Sequence, residues 1–228
     1  MSDYGYIKRN IDALSEEIEL TANRVGARPP KLVAVTKSGS DDELMALCAL
    51  GVSAIGENRP GELKRRGELL AESSLFPELH QIGTLQSNKA KLVCPSAALI
   101  HSLASISLAK ELDKQGKKLN KRIPVLIEIN SACEPQKDGV LPSEAEAFLE
   151  SISGLDGIRP CGLMTMGPAL CDPDDLRGYF RLTRKLFDKL NSNFGPDPIL
   201  SMGMSESFKI AIEEGSTLIR VGRRLFMK

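Results

Sequence analysis

The residue best suited to chemistry in this chain is a lysine at the end of a short apolar stretch. Lys37 closes the segment Lys31-Leu32-Val33-Ala34-Val35-Thr36-Lys37, and the turn Ser38-Gly39-Ser40 follows it at once. A lysine amine forms a Schiff base with a carbonyl compound when its surroundings activate it. Most lysines are simply exposed to water. This stretch alone therefore favours an ordinary loop lysine. A chemical role for Lys37 has to be argued from the rest of the chain.

Two later loops have the composition of an anion-binding site. Ser201-Met202-Gly203-Met204-Ser205 leads from an apolar run into a helical pattern, and Arg220-Val221-Gly222-Arg223-Arg224 closes another apolar run. Glycines let backbone N–H groups approach an anion, and a helix start favours negative charge. Taken alone, Ser205 equally fits a helix cap and Gly222 a simple turn. An inward-facing Arg220 needs a partner, either a ligand or an acid such as Glu128.

The elements that must hold these residues alternate regularly along the chain. An amphipathic pattern over residues 2–25 predicts a first helix, and Ser40-Asp41-Asp42-Glu43 is a capping box that opens the next one. Strand-like runs cover 32–35, 52–55, 80–82, 98–100, 125–129, 158–164, 199–204 and 217–221. Helical segments lie between them at about 41–50, 61–72, 86–93, 105–119, 143–153, 174–192 and 206–214. Within the second of these segments, Lys64-Arg65-Arg66 is expected to be a solvated face.

This alternation predicts an α/β fold with parallel strands. Eight strands in a chain of 228 residues favour a single closed (β/α)8 TIM-type barrel over residues 1–228, with an additional N-terminal helix. Almost no chain follows the eighth strand, so the N-terminal helix is expected to take the place of the missing outer helix. An open, doubly wound sheet is the structural alternative.

In such a barrel the carboxyl ends of the strands form one rim, where active sites lie. The residues at these ends are Lys37, Glu57, Asn58, Gly83, Ser102, Asn130, Met164, Gly203, Ser205 and Gly222. They comprise one lysine among small polar groups and glycines, without a Ser-His-Asp pattern or a carboxylate pair. This inventory suits a Schiff-base lysine better than hydrolysis. His80, at the start of a strand, is expected to pack or cap.

Composition excludes several other classes of protein. Lys plus Arg equals Asp plus Glu at 30 each, and aromatic residues are only 4%, which argues against a nucleic-acid partner. The amino terminus has no apolar signal core, and no apolar run approaches the roughly 18 residues of a spanning helix. We therefore expect a cytoplasmic protein with no membrane partner. The 5 scattered cysteines and 2 histidines give no local sign of a metal site.

Several stretches together resemble the pyridoxal phosphate homeostasis proteins, which are single-domain, fold-type III barrels related to the amino-terminal domain of bacterial alanine racemase. The matching stretches are Val33-Ala34-Val35-Thr36-Lys37, Gly56-Glu57-Asn58, His80-Gln81-Ile82-Gly83-Thr84-Leu85-Gln86-Ser87-Asn88-Lys89, Ile129-Asn130, Lys137-Asp138-Gly139, Gly162-Leu163-Met164-Thr165-Met166, Ser201-Met202-Gly203-Met204-Ser205 and Gly215-Ser216-Thr217-Leu218-Ile219-Arg220-Val221-Gly222. They cover nearly the whole chain. The His80 stretch and the last two stretches are highly specific in combination.

The resemblance implies pyridoxal 5′-phosphate (PLP) as the cofactor, bound as a covalent aldimine to Lys37. It implies that the phosphate is held by Ser205 and by the backbone near Gly203, Gly222 and Arg223. It also implies that Arg220 faces the pyridine nitrogen, that Asn58 lies near the ring hydroxyl and that Met164 belongs to the cofactor site. Arg223 departs from the family pattern, which often has a small hydroxyl residue there, and Ser207 stands where an aspartate is common.

The function implied is binding of PLP, with buffering or delivery of the cofactor and without robust catalysis. A protonated Arg220 against an unprotonated pyridine nitrogen makes the ring a weaker electron sink. Racemases with this arrangement also use a tyrosine from a second domain, whereas Tyr4, Tyr6 and Tyr179 are not obvious rim acids. The alternatives are a low-activity PLP-dependent amino-acid racemase and a cofactor-free Schiff-base aldolase. We expect a monomer, with PLP-dependent apoenzymes as recipients.

Overall fold

Eight parallel strands form a closed barrel in the computed structural model, which describes residues 4–168 and 171–228. The strands are β1 Lys31–Val35, β2 Ala54–Glu57, β3 Glu78–Gln81, β4 Ala97–Leu103, β5 Ile123–Ile129, β6 Ile158–Thr165, β7 Ile199–Ser201 and β8 Leu218–Val221. Each strand pairs with its sequence neighbours, and β8 pairs with β1 in the register Val33 to Arg220, which closes the barrel. The predicted barrel is confirmed and the open-sheet alternative is wrong.

Eight α-helices occur in the described part of the chain, and they alternate with the strands. They are α1 Gly5–Arg24, α2 Asp41–Ala49, α3 Pro60–Glu72, α4 Ala90–Val93, α5 Ile106–Lys118, α6 Ala145–Ser151, α7 Pro173–Leu190 and α8 Phe208–Glu213, with short 3-10 helices at Ser87–Lys89, Asn191–Asn193 and Arg223–Phe226. The predicted helices are confirmed with shifted ends. Of the first predicted helix, residues 2 and 3 lie outside the described residues.

Helix α1 covers the seam where β8 meets β1, as expected for a substitute outer helix. Its buried residues Ile7, Leu14 and Ile18 join one hydrophobic cluster with Ala34 of β1 and Ile219 of β8. The C-terminal turn is fastened to the same helix, because the Asn10 amide donates to the carbonyl oxygens of Leu225 at 3.2 Å and Met227 at 2.7 Å. The amino-terminal helix therefore completes the outer layer of the barrel.

Local signals account for several element boundaries. The predicted capping box is present at α2, where the Ser40 hydroxyl accepts from the Glu43 N–H and the Glu43 carboxylate accepts from the Ser40 N–H. The seventh strand is shorter than predicted and ends at Ser201 rather than 204. The reason is Gly203, whose φ of 88° turns the chain away from the extended direction.

The inside of the barrel has an apolar layer below a polar one. The apolar layer consists of Val33, Ala54, Leu99, Leu126, Cys161, Met164 and Leu218, contributed by six of the strands. Since side chains alternate along a strand, the residues two positions further on share the inward face. His101 follows Leu99 in this way, and Arg220 follows Leu218. Both are almost completely buried, so the layer nearest the rim is polar.

None of the helices among the described residues has the length and apolar character needed to cross a membrane.

Candidate functional site

A cavity of about 410 Å³ lies at the carboxyl ends of the strands, between β1 and the last two loops. Its lining includes Lys37, Ser205, Arg220, Gly222 and Arg223. Five of the eight predicted cofactor-binding residues therefore line one space, although they come from opposite ends of the chain. Apolar side chains, among them those of Val35, Leu176 and Ile210, complete the wall. The volume is that of a typical small-molecule site.

A second cavity, of about 480 Å³, meets the first at Lys37. It is lined by Lys37 together with Ser38, Glu57, Asn58, Arg59, Glu62 and Arg66. Asn58 is a sixth predicted residue, and it lies on the side of the lysine away from Ser205. The Lys37 side chain, exposed at the end of β1, is thus accessible from both spaces.

The two remaining predicted residues line neither cavity. Met164 is completely buried and packs in the apolar layer inside the barrel. Gly203 lets the β7–α8 loop pack closely on helix α8. A Cβ atom at this position would come within 2.6 Å of the Ala211 Cβ. Their predicted contact with a cofactor stays a prediction, and the structure gives each of them a packing role.

The two loops facing Lys37 offer unused hydrogen-bond donors. Within the described part of the chain, the backbone N–H groups of Ser205, Gly222 and Arg223 have no hydrogen-bond partner. Ser205 does not cap α8, because Ser207 occupies the cap position and accepts from the Met204 N–H at 3.0 Å. The half-buried Ser205 hydroxyl is therefore available to a ligand. These donors converge on the cavity and suit an anion.

Glycine at position 222 is required by the close approach of two strand ends. A Cβ atom there would lie 2.9 Å from the Val35 carbonyl oxygen and 3.1 Å from the Val35 Cβ. The chain after β8 can therefore pass close to β1 only without a side chain. This brings the N–H groups of Gly222 and Arg223 to the cavity that Lys37 lines.

Arg220 is almost completely buried. Its hydrogen-bond partners in the structure do not include Glu128, the acid that the sequence suggested. Its Nη1 donates to the Ser201 hydroxyl, and its Nη2 donates to the Thr165 carbonyl oxygen at 3.0 Å. Among the described residues it forms no ion pair with Glu128 within 4.0 Å. Burial lowers the pKa of Arg220 to about 10, and the charge of Glu128 opposes this shift. The guanidinium therefore stays charged at neutral pH and retains N–H groups beyond these two contacts.

Arg66 is a buried arginine that holds the loop on both sides of Lys37, and the sequence patterns did not predict this role. Arg66 was expected on a solvated face, but only Lys64 and Arg65 are exposed, and Arg66 is 5% exposed. Its Nη1 donates to the Thr36 carbonyl oxygen at 2.6 Å, and its Nη2 donates to the Gly39 carbonyl oxygen at 2.8 Å. The signal was present, since Leu63, Arg66 and Leu70 share the buried face of α3.

A third cavity of about 600 Å³ opens on the opposite side of the rim and contains none of the eight predicted residues. Hydroxyl and charged side chains line it, including those of Ser102, Glu128, Lys137 and Asp138. Burial and the charge of Asp138 raise the pKa of Glu128 to about 7, while the charge of Arg220 lowers it. Glu128 therefore belongs mainly to this polar space and not to the Lys37 cavity.

The fold and the lysine-centred rim define an alanine-racemase-like barrel protein. Residues 10–228 match the family described as "Alanine racemase, N-terminal domain", and the chain belongs to this family. It is 38% identical over 214 residues to the pyridoxal phosphate homeostasis protein of Aquifex aeolicus (strain VF5), covering 92% of this chain and 93% of the relative. The predicted resemblance is confirmed.

Solved structures agree with this assignment. An unknown protein from Bifidobacterium adolescentis superposes with a TM-score of 0.91 at 32% identity, covering 99% of this chain and 97% of the other. PipY of Synechococcus elongatus PCC7942, solved with PLP bound, superposes with a TM-score of 0.79 at 28% identity, covering 93% of this chain and 99% of the other.

Proposed function

We propose that this protein binds PLP, covalently through Lys37, and buffers or delivers the cofactor without robust catalysis. The observation that carries the proposal is a single cavity in which the Lys37 amine, the free donors around Ser205 and the Arg220 guanidinium meet. The PLP found in the solved PipY structure and the name of the Aquifex relative support it.

The residues present fit the chemical groups of PLP. When bound, PLP supplies an aldehyde that condenses reversibly with an amine, and a phosphate that anchors it. Lys37 provides the amine. The Ser205 hydroxyl and the free N–H groups of Ser205, Gly222 and Arg223 provide donors for the phosphate. Arg220 would supply a charged donor for the ring nitrogen, and Asn58 would supply an amide for the ring hydroxyl.

The surroundings of Lys37 support binding rather than amino-acid racemisation. No tyrosine or histidine occurs among the described residues that line the two cavities meeting at Lys37. Tyr6 donates its hydroxyl to Glu43 at the outer surface, and this hydrogen bond raises its pKa to about 12. With PLP bound, the charged Arg220 would disfavour a proton on the ring nitrogen and so limit electron withdrawal by the ring. The described lining of the two cavities therefore offers neither a phenol nor an imidazole to protonate the second face of a substrate carbon.

The remaining parts of the proposal concern the context in which the chain works. We propose a single-domain monomer over residues 1–228, acting in the cytoplasm, with PLP-dependent apoenzymes as recipients. The exposed position of Lys37 supports transfer, because a recipient can approach the amine from solvent. The balanced charge of 30 acidic and 30 basic residues supports a small-molecule role over nucleic-acid binding.

A borohydride experiment tests the covalent link. The protein is purified with PLP, freed of excess cofactor, and its visible spectrum is recorded before and after reduction. Peptide mass spectrometry then locates the adduct. We expect a yellow protein that bleaches, with the phosphopyridoxyl group on Lys37. Lys37→Ala should lose the adduct but retain weakened binding through the phosphate donors. Lys64→Ala, at an exposed lysine of α3, should behave like the wild type.

Other outcomes would favour the rival functions. A colourless protein without an adduct, yet active on a sugar phosphate, would favour the Schiff-base aldolase. Scrambling of L-alanine by the purified yellow protein, lost in Lys37→Ala, would favour the racemase. Full colour in Lys37→Ala would contradict the covalent role of that lysine.

A further inference from the structure

A chain of hydrogen bonds crosses the inside of the barrel from Arg220 to the opposite end. Arg220 Nη1 contacts the Ser201 hydroxyl, which lies 3.2 Å from His101 Nδ1. His101 Nε2 lies 2.9 Å from His80 Nδ1, and His80 Nε2 lies 3.1 Å from Glu78 Oε2. These five residues come from four strands and form one continuous path.

The middle of this path is inaccessible to water. Ser201 and His101 are 0% exposed and His80 is 1% exposed. Glu78, the first residue of β3, is half exposed and also pairs with Lys31 Nζ at 2.5 Å. The path therefore joins the amino-terminal end of the barrel, at Glu78, to the cavity at the carboxyl end, which Arg220 lines. None of its three central residues lines that cavity.

The two end groups determine the direction of every hydrogen bond along the path. A guanidinium only donates, and an ionised carboxylate only accepts. Hydrogen bonds from His80 and Lys31 lower the pKa of Glu78 to about 2, so this carboxylate is ionised at neutral pH. Burial lowers the pKa of both histidines, which keeps them neutral.

With these constraints one arrangement satisfies all the groups. Arg220 donates to Ser201, Ser201 to His101 Nδ1, His101 Nε2–H to His80 Nδ1, and His80 Nε2–H to Glu78. If each imidazole instead carried its proton on Nδ1, the lone pair of His80 Nε2 would face the Glu78 carboxylate, which is repulsive. Both histidines are therefore neutral with the proton on Nε2.

We propose that His80 and His101 are positioning residues that hold the Ser201 hydroxyl with its lone pairs toward Arg220 and thereby fix the guanidinium at the cavity. The path commits the Ser201 proton to His101, so the hydroxyl can only accept from Arg220. Together with the Thr165 carbonyl oxygen, it holds both Nη atoms of Arg220. The functional consequence rests on the proposed PLP site, where a fixed guanidinium faces the ring nitrogen.

The first test uses the protein without cofactor. His80 and His101 are the 2 histidines of the chain, so two-bond ¹H–¹⁵N spectra of histidine-labelled protein assign both tautomers directly. We expect neutral Nε2–H forms for both from pH 6 to 8. Ser201→Ala, which removes one oxygen, should shift the ring nitrogen signals of His80 as well as those of His101. Ser192→Ala, at an exposed serine beyond α7, should leave both unchanged.

Two results of this test would overturn the proposal. One is an Nδ1–H tautomer or an ordinary titration near pH 6.5 for either histidine. The other is a Ser201→Ala spectrum in which the His80 signals do not move. Neither result depends on whether the protein binds PLP, so failure here is distinct from failure of the proposed function, which the Lys37 adduct tests separately.

The second test uses the protein loaded with PLP. The charged groups that act on the histidine pair are Glu78, Lys31 and Arg220, and Glu128 acts on Arg220. Disconnecting Arg220 should change how readily the ring nitrogen takes a proton. His101→Phe and Ser201→Ala should therefore move the midpoint of the pH profile of the visible band by about half a unit or more. The adduct on Lys37 should still form.

A conservative variant separates positioning from simple packing. In His101→Gln, one amide can accept from Ser201 and donate to His80, so the wild-type pH profile should return. An unchanged profile in Ser201→Ala, or a profile in His101→Gln as displaced as that of His101→Phe, would overturn the positioning role. Since Ser201→Ala is nearly isosteric, the test stands even where His101→Phe does not fold.

Discussion

Arg66 Nη1 lies 2.6 Å from Glu57 Oε1 in an ion pair that is buried beneath the loop carrying Lys37. Glu57 also accepts from the Thr36 hydroxyl, so the end of β1, the end of β2 and helix α3 meet at one carboxylate. The lysine therefore projects from a loop whose base is fixed by charge-assisted hydrogen bonds. Its position depends on an arginine that is 5% exposed and that binds the backbone on both sides of Lys37.

Loss of this arginine should destabilise the fold strongly. Arg66→Leu removes the buried charge partner of Glu57 and the donor to two backbone carbonyl groups, and we expect a loss of about 3–5 kcal/mol in the free energy of unfolding. Arg65→Ala is the matched control. Arg65 is the preceding residue and is also paired, but it is exposed, so its loss should cost about 1 kcal/mol or less. Urea unfolding measures both, and equal losses would contradict the assigned role of Arg66.

Removal of the Ser205 hydroxyl should weaken PLP binding without affecting the fold. Ser205→Ala deletes one of the free donors facing the cavity, so we expect about a tenfold loss of affinity, equivalent to about 1.4 kcal/mol. The Lys37 adduct should still form, and the free energy of unfolding should change by less than about 0.5 kcal/mol. Spectroscopic titration with PLP gives the affinity, with Ser192→Ala as the control. An undiminished affinity would remove Ser205 from the phosphate site.

A side chain at Gly203 should strain the β7–α8 loop. Gly203→Ala places a Cβ at a φ of 88° and within 2.6 Å of the Ala211 Cβ, so we expect a loss of about 2 kcal/mol or more. Gly178 is the contrasting glycine, because it lies within α7 with open space around it. Gly178→Ala should stabilise the protein by about 0.5–1 kcal/mol. Thermal unfolding measures both, and a stability gain in Gly203→Ala would refute the strain argument.

The contact of α1 with the C-terminal turn should respond to acid. The Glu17 carboxylate accepts hydrogen bonds from Arg224 and lies 2.6 Å from Lys209 Nζ, and these bonds lower its pKa from 4.5 to about 2. A carboxyl whose pKa is depressed on folding contributes stability above its unfolded pKa, and loses it as the pH falls toward the folded pKa. This contribution is therefore present at pH 7 and disappears between about pH 4.5 and 2.

Glu17→Gln should accordingly lower the free energy of unfolding by about 1 kcal/mol at pH 7 and by progressively less below pH 4.5. Glu16→Gln, at the exposed neighbouring position, should have no such effect. Denaturant unfolding of the three proteins from pH 7 to 3 measures the difference. A constant difference over this range would mean that Glu17 acts through packing and not through its charge.

Local patterns in the chain predict most of the architecture of this protein. The alternation of short apolar runs with helical segments predicts eight strands and a closed barrel, and the capping box marks the start of α2. The position of Lys37 after β1 and the two glycine-containing loops can be identified in the same way. These features depend on neighbours within a few residues, so sequence order carries them.

Contacts between residues that are far apart in the sequence could not be predicted from such local patterns. His80 contacts His101, and Arg220 contacts Ser201 and the Thr165 carbonyl oxygen instead of Glu128. Each pair depends on the stagger of neighbouring strands and on which inward side chains reach the same level of the barrel. Closure of the whole sheet sets that stagger. Local sequence patterns therefore do not reveal it.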